Sequence, residues 1–376
     1  MKILVLPRDP NPYQSLLYCE MQRLGARIIY VGELTPSQTL NLLILPLEIA
    51  AHRIAGARLI HLHWVFTFTF PGAHYVPVMR RVAYLWFRLW LWACRLLGMH
   101  LIWTVHNVLP HQPVFPDDVS ARRELVRSSD LVLAHSQSAL FELAALGAVA
   151  RRSAVIPHGP IGPTGSAVPL RIPGDSAGPR RFLFLGRVED YKGVDDLIVA
   201  FAGLPDDVAV QLTVVGQCDD PRLRSRLYVL AGADDTRVTL RLERVPEEEV
   251  PQLLAAADVV VLPFRRVTTS GSAILALAHG RPLIVPDLPA LADLPDQAVL
   301  RYDGGVSELA GALSTLAQAD GASLAAMSVA AVDYAAMTTW REIAEKIITE
   351  IHPVLGGNRE AHVRSQPFNA PRSGYR

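Results

Sequence analysis

The sequence has little lysine, little cysteine and no long uninterrupted apolar run. Three cysteines, Cys19, Cys94 and Cys218, are odd in number and far apart. That argues against a disulfide framework or a cysteine-based metal site and fits a reducing compartment. Met1 opens directly into the apolar segment KILVLP, without the successive regions of a secretory signal, so the chain is expected to stay inside the cell. No short-period repeat, zinc-finger spacing or helix-turn-helix signature is present, and nucleic acid is not an expected partner. With only three lysines, Lys2, Lys192 and Lys346, a lysine inside a strand-loop-helix segment stands out.

What is present suffices for two cores. Half of the 376 residues are hydrophobic, and the length suits two domains of ordinary size. Net charge is zero, yet residues 1–160 carry 15 Lys+Arg against 9 Asp+Glu, and residues 161–376 carry 21 against 27. A positive first half suggests an anionic surface or substrate near it.

Residues 1–158 alternate strands with helices. Lys2–Pro7, Arg27–Val31, Arg58–Val65, His100–His106, Ser129–His135 and Ala154–Pro157 read as strands; Ser15–Leu24, Leu40–Ala55 and Ser138–Gly147 read as helices. Parallel strands joined by helices form a doubly wound sheet, whose ligand crevice lies at the carboxyl ends of the strands. Three loops there carry chemistry-capable residues: Arg8–Gln14, which holds Asp9, Tyr13 and Gln14; His61–Trp64; and His106–His111, which holds Asn107. His61 and His63 share one strand face, a spacing that also suits zinc, but no third ligand is near and no metal is expected. His106, at a strand end, is the better placed to orient or deprotonate a hydroxyl.

The segment Tyr75–Leu101 is rich in aromatic residues but interrupted by Arg81, Arg88 and Arg95. Its charge-free pieces fall far short of the roughly 20 residues that cross a bilayer. It reads either as a core helix with outward arginines or as a helix lying on an anionic lipid surface, and the positive charge of this half favours the second.

Ile156–Pro173 is rich in proline and glycine and reads as a hinge. Beyond it FLFLGRVEDYKG, Phe182–Gly193, gives a buried strand, Gly186-Arg187, a short acidic loop and Lys192-Gly193 ahead of a helix at Val194–Ala202. Strands follow at Val210–Val215, Arg237–Leu242 and Val259–Pro263, with a helix at Glu247–Ala256. Then comes TTSGSAILALAHGRPLIVPD, Thr268–Asp287: a hydroxyl-rich turn, a helix at about Ala273–His279, a glycine stop and a strand at Leu283–Val285. Backbone N–H groups of Gly271, Ser272 and Ala273 at that helix start can converge on an anion, and Arg187 and Lys192 add two cations.

Gly186-Arg187, Lys192-Gly193, PEEEVPQLLAAADVVVLPF and Ala278-His279-Gly280-Arg281-Pro282 together resemble the donor domain of family 4 type nucleotide-sugar glycosyltransferases. The resemblance implies an α/β fold of the GT-B kind, two Rossmann-like doubly wound domains facing across a cleft. One departure is plain: Val267 and Leu275 stand where that family usually places two glutamates. Thr-Ser-Gly-Ser there, with HLHW, TVHNVLPH and VIPHG in the first half, is similar to a bacterial subgroup of inverting GDP-mannose:glycolipid 4-β-D-mannosyltransferases. That likeness implies a nucleotide-diphosphate sugar donor, a lipid-linked or saccharide acceptor and no obligatory metal.

On this reading residues 1–158 bind the acceptor, 159–178 form a hinge, 179–337 bind the donor, 338–355 form a helix crossing back to the first domain, and 356–376 are a disordered tail. Arg187, Lys192, Ser270, Gly271 and Ser272 hold the diphosphate; His106 is the base, with Asp9 as the carboxylate alternative. Tyr13, Gln14, His63, Trp64, Asn107 and His111 shape the acceptor pocket. The expected place is the inner face of the cell membrane, touched through Tyr75–Leu101. A non-catalytic membrane scaffold and a nucleotide-sugar epimerase of the two-Rossmann type are the other readings.

Overall fold

The computed structural model describes residues 1–9, 12–65, 68–72, 76–110, 113–161, 178–205, 207–232 and 236–356. Most of the hinge and the tail beyond residue 356 lie outside them.

The first domain runs β1 (Lys2–Leu6), α1 (Pro12–Arg23), β2 (Arg27–Tyr30), α2 (Gln38–Ile54), β3 (Leu59–Leu62), α3 (Pro77–Leu96), β4 (His100–Val105), α4 (Asp118–Ser128), β5 (Leu131–Ala134), α5 (Gln137–Ala145) and β6 (Ser153–Val155). All its strands are parallel, in the order β2-β1-β3-β4-β5-β6. The second domain runs β7 (Arg180–Leu185), α6 (Val194–Ala202), β8 (Val210–Val215), α7 (Pro221–Ala231), β9 (Val238–Arg241), α8 (Val250–Ala256), β10 (Val259–Val261), α9 (Gly271–Ala278), β11 (Leu283–Pro286), β12 (Val299–Tyr302), α10 (Val306–Gln318) and α11 (Gly321–Ala336). Its sheet is also parallel, ordered β12-β11-β10-β7-β8-β9. Strand order reverses between β1 and β3 in one sheet and between β7 and β10 in the other. Crevices open at those points, and the loops after these four strands carry most of the residues singled out above.

Continuous apolar strands follow from burial on both faces. Leu59–Leu62 is fully buried although it contains His61, and Leu283–Pro286 is buried throughout. The helices start where polar caps allow: Asp117 accepts from Ser120 N–H, Ser136 from Ala139 N–H and Ser270 from Ala273 N–H. α1 begins earlier than its apolar spacing suggests because Pro12 suits the first turn. Tyr13 and Gln14 therefore sit on a helix.

The last helix, α12 (Trp340–Leu355), opens with a capping box between Thr339 and Glu342. It lies on the first domain: Ile343, Ala344, Ile347 and Ile351 join Ile3, Val5, Tyr13 and Leu17 in one core. Trp340 seals the seam, its Nε1–H donating to Pro160 O at 2.8 Å and its ring standing edge-on to Tyr13.

α3 has two faces. Ala83, Phe87, Trp90, Leu91 and Cys94 are buried, while Val78, Val82, Leu85, Leu89 and Trp92 are exposed alongside Arg81, Arg88 and Arg95. Arg88 pairs with Glu124 of α4 at 2.9 Å. No helix among the described residues is long and apolar enough to cross a membrane.

Trp340→Ala should lower unfolding free energy by about 3 kcal/mol through lost burial. Denaturant melts compared with wild type measure it; an unchanged midpoint would remove Trp340 as the seal.

Candidate functional site

Glycines bring backbones together at the carboxyl edge of the second sheet. A Cβ on Gly216 (φ 146°) would collide with Gly186 O, and one on Gly186 (φ 148°) would stand 3.0 Å from Ser272 Oγ. The ends of β7 and β8 and the start of α9 can meet only without side chains between them. Gly193 (φ 66°) is fixed the same way, because a Cβ there would strike Pro263 O.

Lys192, on the short turn before Gly193, has its Nζ 4.5 Å from the Phe264 ring centre and 5.2 Å from that of Tyr191. Burial lowers its pKa to about 8, against the opposing pull of Glu189. It remains mostly charged at neutral pH yet poorly hydrated, a state that favours an incoming anion. Arg265 locks this turn: its N–H donates to Tyr191 O, Nη1 to Asp190 O and Nε to Asp196. Arg187 is exposed and is held by Asp219 at 2.6 Å and Glu189 at 3.8 Å.

At α9 the anion seat is smaller than the sequence suggests. Ala273 N–H is taken by Ser270 Oγ at 3.1 Å, which leaves Gly271 and Ser272 with first-turn N–H groups lacking intrahelical acceptors. Val267 and Leu275 are half-buried. The Ala-His-Gly-Arg-Pro segment is structural: Arg281 is fully buried with Nη1 on Ala257 O, and Ser328 Oγ donates to Gly280 O.

Across the cleft, the first domain holds a chain of buried imidazoles. Thr104 Oγ1 meets His61 Nε2 at 2.8 Å; Tyr18 OH lies 2.8 Å from His61 Nδ1 and 2.6 Å from His63 Nε2; His63 Nδ1 meets His106 Nε2 at 2.9 Å. Tyr18 has one proton, so it donates to one ring and accepts from the other. When every donor points from His106 toward Thr104, His106 is left with an unprotonated Nδ1. Trp64 stacks on His106 at 4.2 Å and 15°. Burial and neighbouring histidines hold His63 and His106 well below the usual imidazole range. His135 donates from Nδ1 to Ile156 O, while its Nε2 is unpartnered among the described residues.

Three of the expected acceptor contacts are buried. His63 is 1% exposed with both ring nitrogens occupied. Gln14 is buried and ties the loop after β1, donating to Pro7 O and accepting from Asp9 N–H. Tyr13 is buried among His63, His106, His135, His158 and Trp340. His63, Trp64 and Asn107 line a small cavity of about 30 Å³ together with Asp118 and Arg122. Asp9 is half-buried, and His111 lies outside the described residues. Tyr18, His135, His158 and Arg122 went unnoticed in the sequence; the signal for the histidines was their concentration in this half, without indication of which would meet.

Two larger cavities bridge the domains. One of about 500 Å³ lies between Val108–Pro110 with Glu142 and Tyr191 with Arg265–Thr268; one of about 360 Å³ lies between His135–Gln137 with His158 and Thr268–Ser270 with Ala273. Among the described residues no group of three or more His, Cys, Asp or Glu could hold a metal ion.

Residues 179–319 match the family described as Glycosyl transferases group 1. The second domain is a glycosyl transferases group 1 domain. A GDP-mannose:glycolipid 4-beta-D-mannosyltransferase of Xanthomonas campestris pv. campestris is 32% identical over 130 residues, 34% of this chain and 37% of that protein. A D-inositol 3-phosphate glycosyltransferase of Mycolicibacterium vanbaalenii is 31% identical over 220 residues, 54% of this chain and 46% of that one. The chain thus matches less than half the length of these curated relatives. The sucrose-phosphate synthase of Thermosynechococcus elongatus has the same fold, with a TM-score of 0.69 at 18% identity over 94% of this chain and 99% of its own. Anabaena HepE in complex with UDP-glucose gives 0.64 at 18% identity, over 94% of this chain and 100% of its own. With its group 1 domain paired to a second parallel sheet, the architecture is GT-B.

The buried histidines set a pH dependence. Burial depresses the pKa of His61 and His135 to about 3, so below the unfolded value of about 6.5 the unfolded chain binds protons that the folded chain refuses. Stability should fall as pH drops from about 6.5 toward about 3, by up to about 1.4 kcal/mol per pH unit for each such ring. Denaturant melts across that window check it, with His135→Gln expected to lessen the slope; a flat profile would contradict the neutral cluster.

Proposed function

We propose that the chain is a nucleotide-sugar-dependent hexosyltransferase, moving mannose from GDP-mannose onto a lipid-linked or oligosaccharide acceptor in bacterial exopolysaccharide or glycolipid synthesis. The observation that carries this is the anion-accepting corner at the second sheet's crevice. There a poorly hydrated Lys192, first-turn N–H groups of α9 that have no intrahelical acceptor and glycine strand ends meet the needs of a diphosphate. The group 1 domain and the partial likeness to the Xanthomonas mannosyltransferase support the donor class.

In the mechanism, Lys192, Arg187, Gly271, Ser272 and the Ser270-capped helix stabilise charge gathering on the departing diphosphate, in place of a metal ion. His106 takes the acceptor's proton at Nδ1 while its Nε2–H stays on His63; Asp9 is the carboxylate alternative. Closure of the cleft excludes water and limits donor hydrolysis. Val267 and Leu275 in place of two glutamates favour a second reading, a scaffold that binds nucleotide without transfer.

Thermal stabilisation by GDP, UDP, dTDP and ADP, with and without chelator, tests the donor site. A selective shift with GDP should survive chelation and weaken at least about tenfold in apparent affinity for Lys192→Ala. No shift with any nucleotide would overturn the reading. His106→Ala should cut transfer by about 10²–10⁴-fold with the GDP shift intact; an unaffected rate would pass the role of base to Asp9. Nucleotide binding with no transfer to any membrane extract would select the scaffold.

We also propose that α3 rests on an anionic membrane surface. Its exposed Val78, Val82, Leu85, Leu89 and Trp92 share a side with Arg81, Arg88 and Arg95. Sedimentation with phosphatidylglycerol vesicles should be strong, weak with phosphatidylcholine, and lost in Arg81→Glu/Arg88→Glu; equal binding to both lipids would overturn it.

A further inference from the structure

α2 carries an exposed apolar stripe that no contact within the protein covers. Leu40, Leu43, Leu47 and Ile54 recur at helical spacing on its outer side, with Leu47 exposed by 73% and Ile54 by 89%. The helix has one acidic residue and one arginine, and both are engaged elsewhere. Glu48 is buried, its Oε2 accepting Gly32 N–H at 2.9 Å, and Arg53 donates from Nε to Leu97 O at 2.9 Å. The stripe itself holds no charge.

α2 and α3 lie side by side and run the same way. Trp86 Nε1–H donates to Leu42 O at 3.1 Å near one end and Arg53 reaches Leu97 O at the other, each contact joining residues 44 apart. On α3 the exposed Val78, Val82, Leu85, Leu89, Trp92 and Leu96 alternate steps of four and three, one unbroken stripe. Its arginines stand on the flank away from α2: Arg88 pairs with Glu124 of α4, and Arg95 donates to Ser128. A groove of about 870 Å³ between α3 and α4 is lined by Arg88, Arg95, Arg123 and Arg127. Polarity therefore changes in one direction across three neighbouring helices, from an uncharged α2 through an apolar α3 to an arginine-lined groove. An apolar patch spanning two helices is more than a protein in water ordinarily leaves exposed. A bilayer surface accepts both parts, apolar side chains below the headgroups and guanidinium groups at the phosphates.

We propose that α2 sinks its outer stripe, together with that of α3, below the headgroups of an anionic bilayer, with the arginine groove between α3 and α4 at the level of the lipid phosphates. This rests on the membrane contact of α3 argued above and extends it, because α2 adds an insertion that owes nothing to charge and tilts the domain toward its own side. Both helices begin at the carboxyl edge of the first sheet, following β2 and β3. Lying flat on them keeps the mouth of the cleft beside the headgroups.

The test sediments the full chain with phosphatidylglycerol vesicles at low salt and at about 1 M salt, where exposed charges are screened within about 3 Å. Wild type should lose part of its binding at high salt and keep the rest. Leu43→Glu/Leu47→Glu should bind at least about tenfold more weakly at low salt and lose all binding at high salt, with its thermal midpoint in the absence of vesicles unchanged. Ile54→Glu, at the exposed end of the stripe, is the second variant should the first not fold, and should weaken binding in the same direction by less. Wild-type binding abolished by salt, or α2 variants that bind like wild type, would overturn the insertion of α2 and leave the α3 contact standing. No wild-type binding at low salt would overturn both. Sedimentation velocity without vesicles completes the test: a dimer that the α2 substitutions dissociate would assign the stripe to a second copy of the chain and overturn the proposal.

Discussion

Backbone packed on backbone at the carboxyl edge of the second sheet is the constraint on which the candidate donor corner depends. Gly186, Gly193 and Gly216 each hold a positive φ, and a side chain at Gly193 or Gly216 would strike a carbonyl oxygen. Because Gly186 and Gly216 carry no side chains, the ends of β7 and β8 and the start of α9 come together with backbone against backbone and Ser272 Oγ at the join. The left-handed Gly193 turns the chain from Lys192 into α6, and Arg265 ties that turn to the loop after β10. The lysine's position is therefore set by main-chain geometry and by a knot of carboxylates around one arginine, Asp190, Asp195 and Asp196.

The two domains build their halves of the cleft by opposite means. The second uses charge: a cation, helix-end dipoles and exposed arginine. The first uses neutrality, a string of imidazoles and one phenol that exclude charge from each other while passing hydrogen bonds along. Such a string fixes tautomers without placing a full charge in the interior. Buried Arg122 is the exception, a full positive charge set over the Trp103 ring with the Asp118 carboxylate one helical turn away.

Much of the fold was legible because buried parallel strands read as unbroken apolar runs. Val194–Ala202 and Val210–Val215 match α6 and β8 residue for residue. α9 starts two residues before the apolar spacing predicts, because Ser270, not Ser272, is the cap. α4 escaped notice because few of its residues are apolar, and with it went Arg122, which looks in sequence like any surface arginine on a charged helix. α11, rich in alanine, lacks the polar contrast that marks a helical face. In the site, strand-end position identified the right loops but not the direction of each side chain. Gln14 and His63 were read as facing the cleft, whereas each meets its polar partners inside the protein.

The route of α12 has a consequence for how the protein is made. One face of the first sheet, around Ile3, Val5 and Leu17, is covered by Ile343, Ile347 and Ile351 from the far end of the chain. The domain synthesised first is thus the one completed last, its apolar flank uncovered until the second domain has emerged from the ribosome. Loss of only the final helix would be felt at the opposite end of the sequence, beneath the strand that begins it.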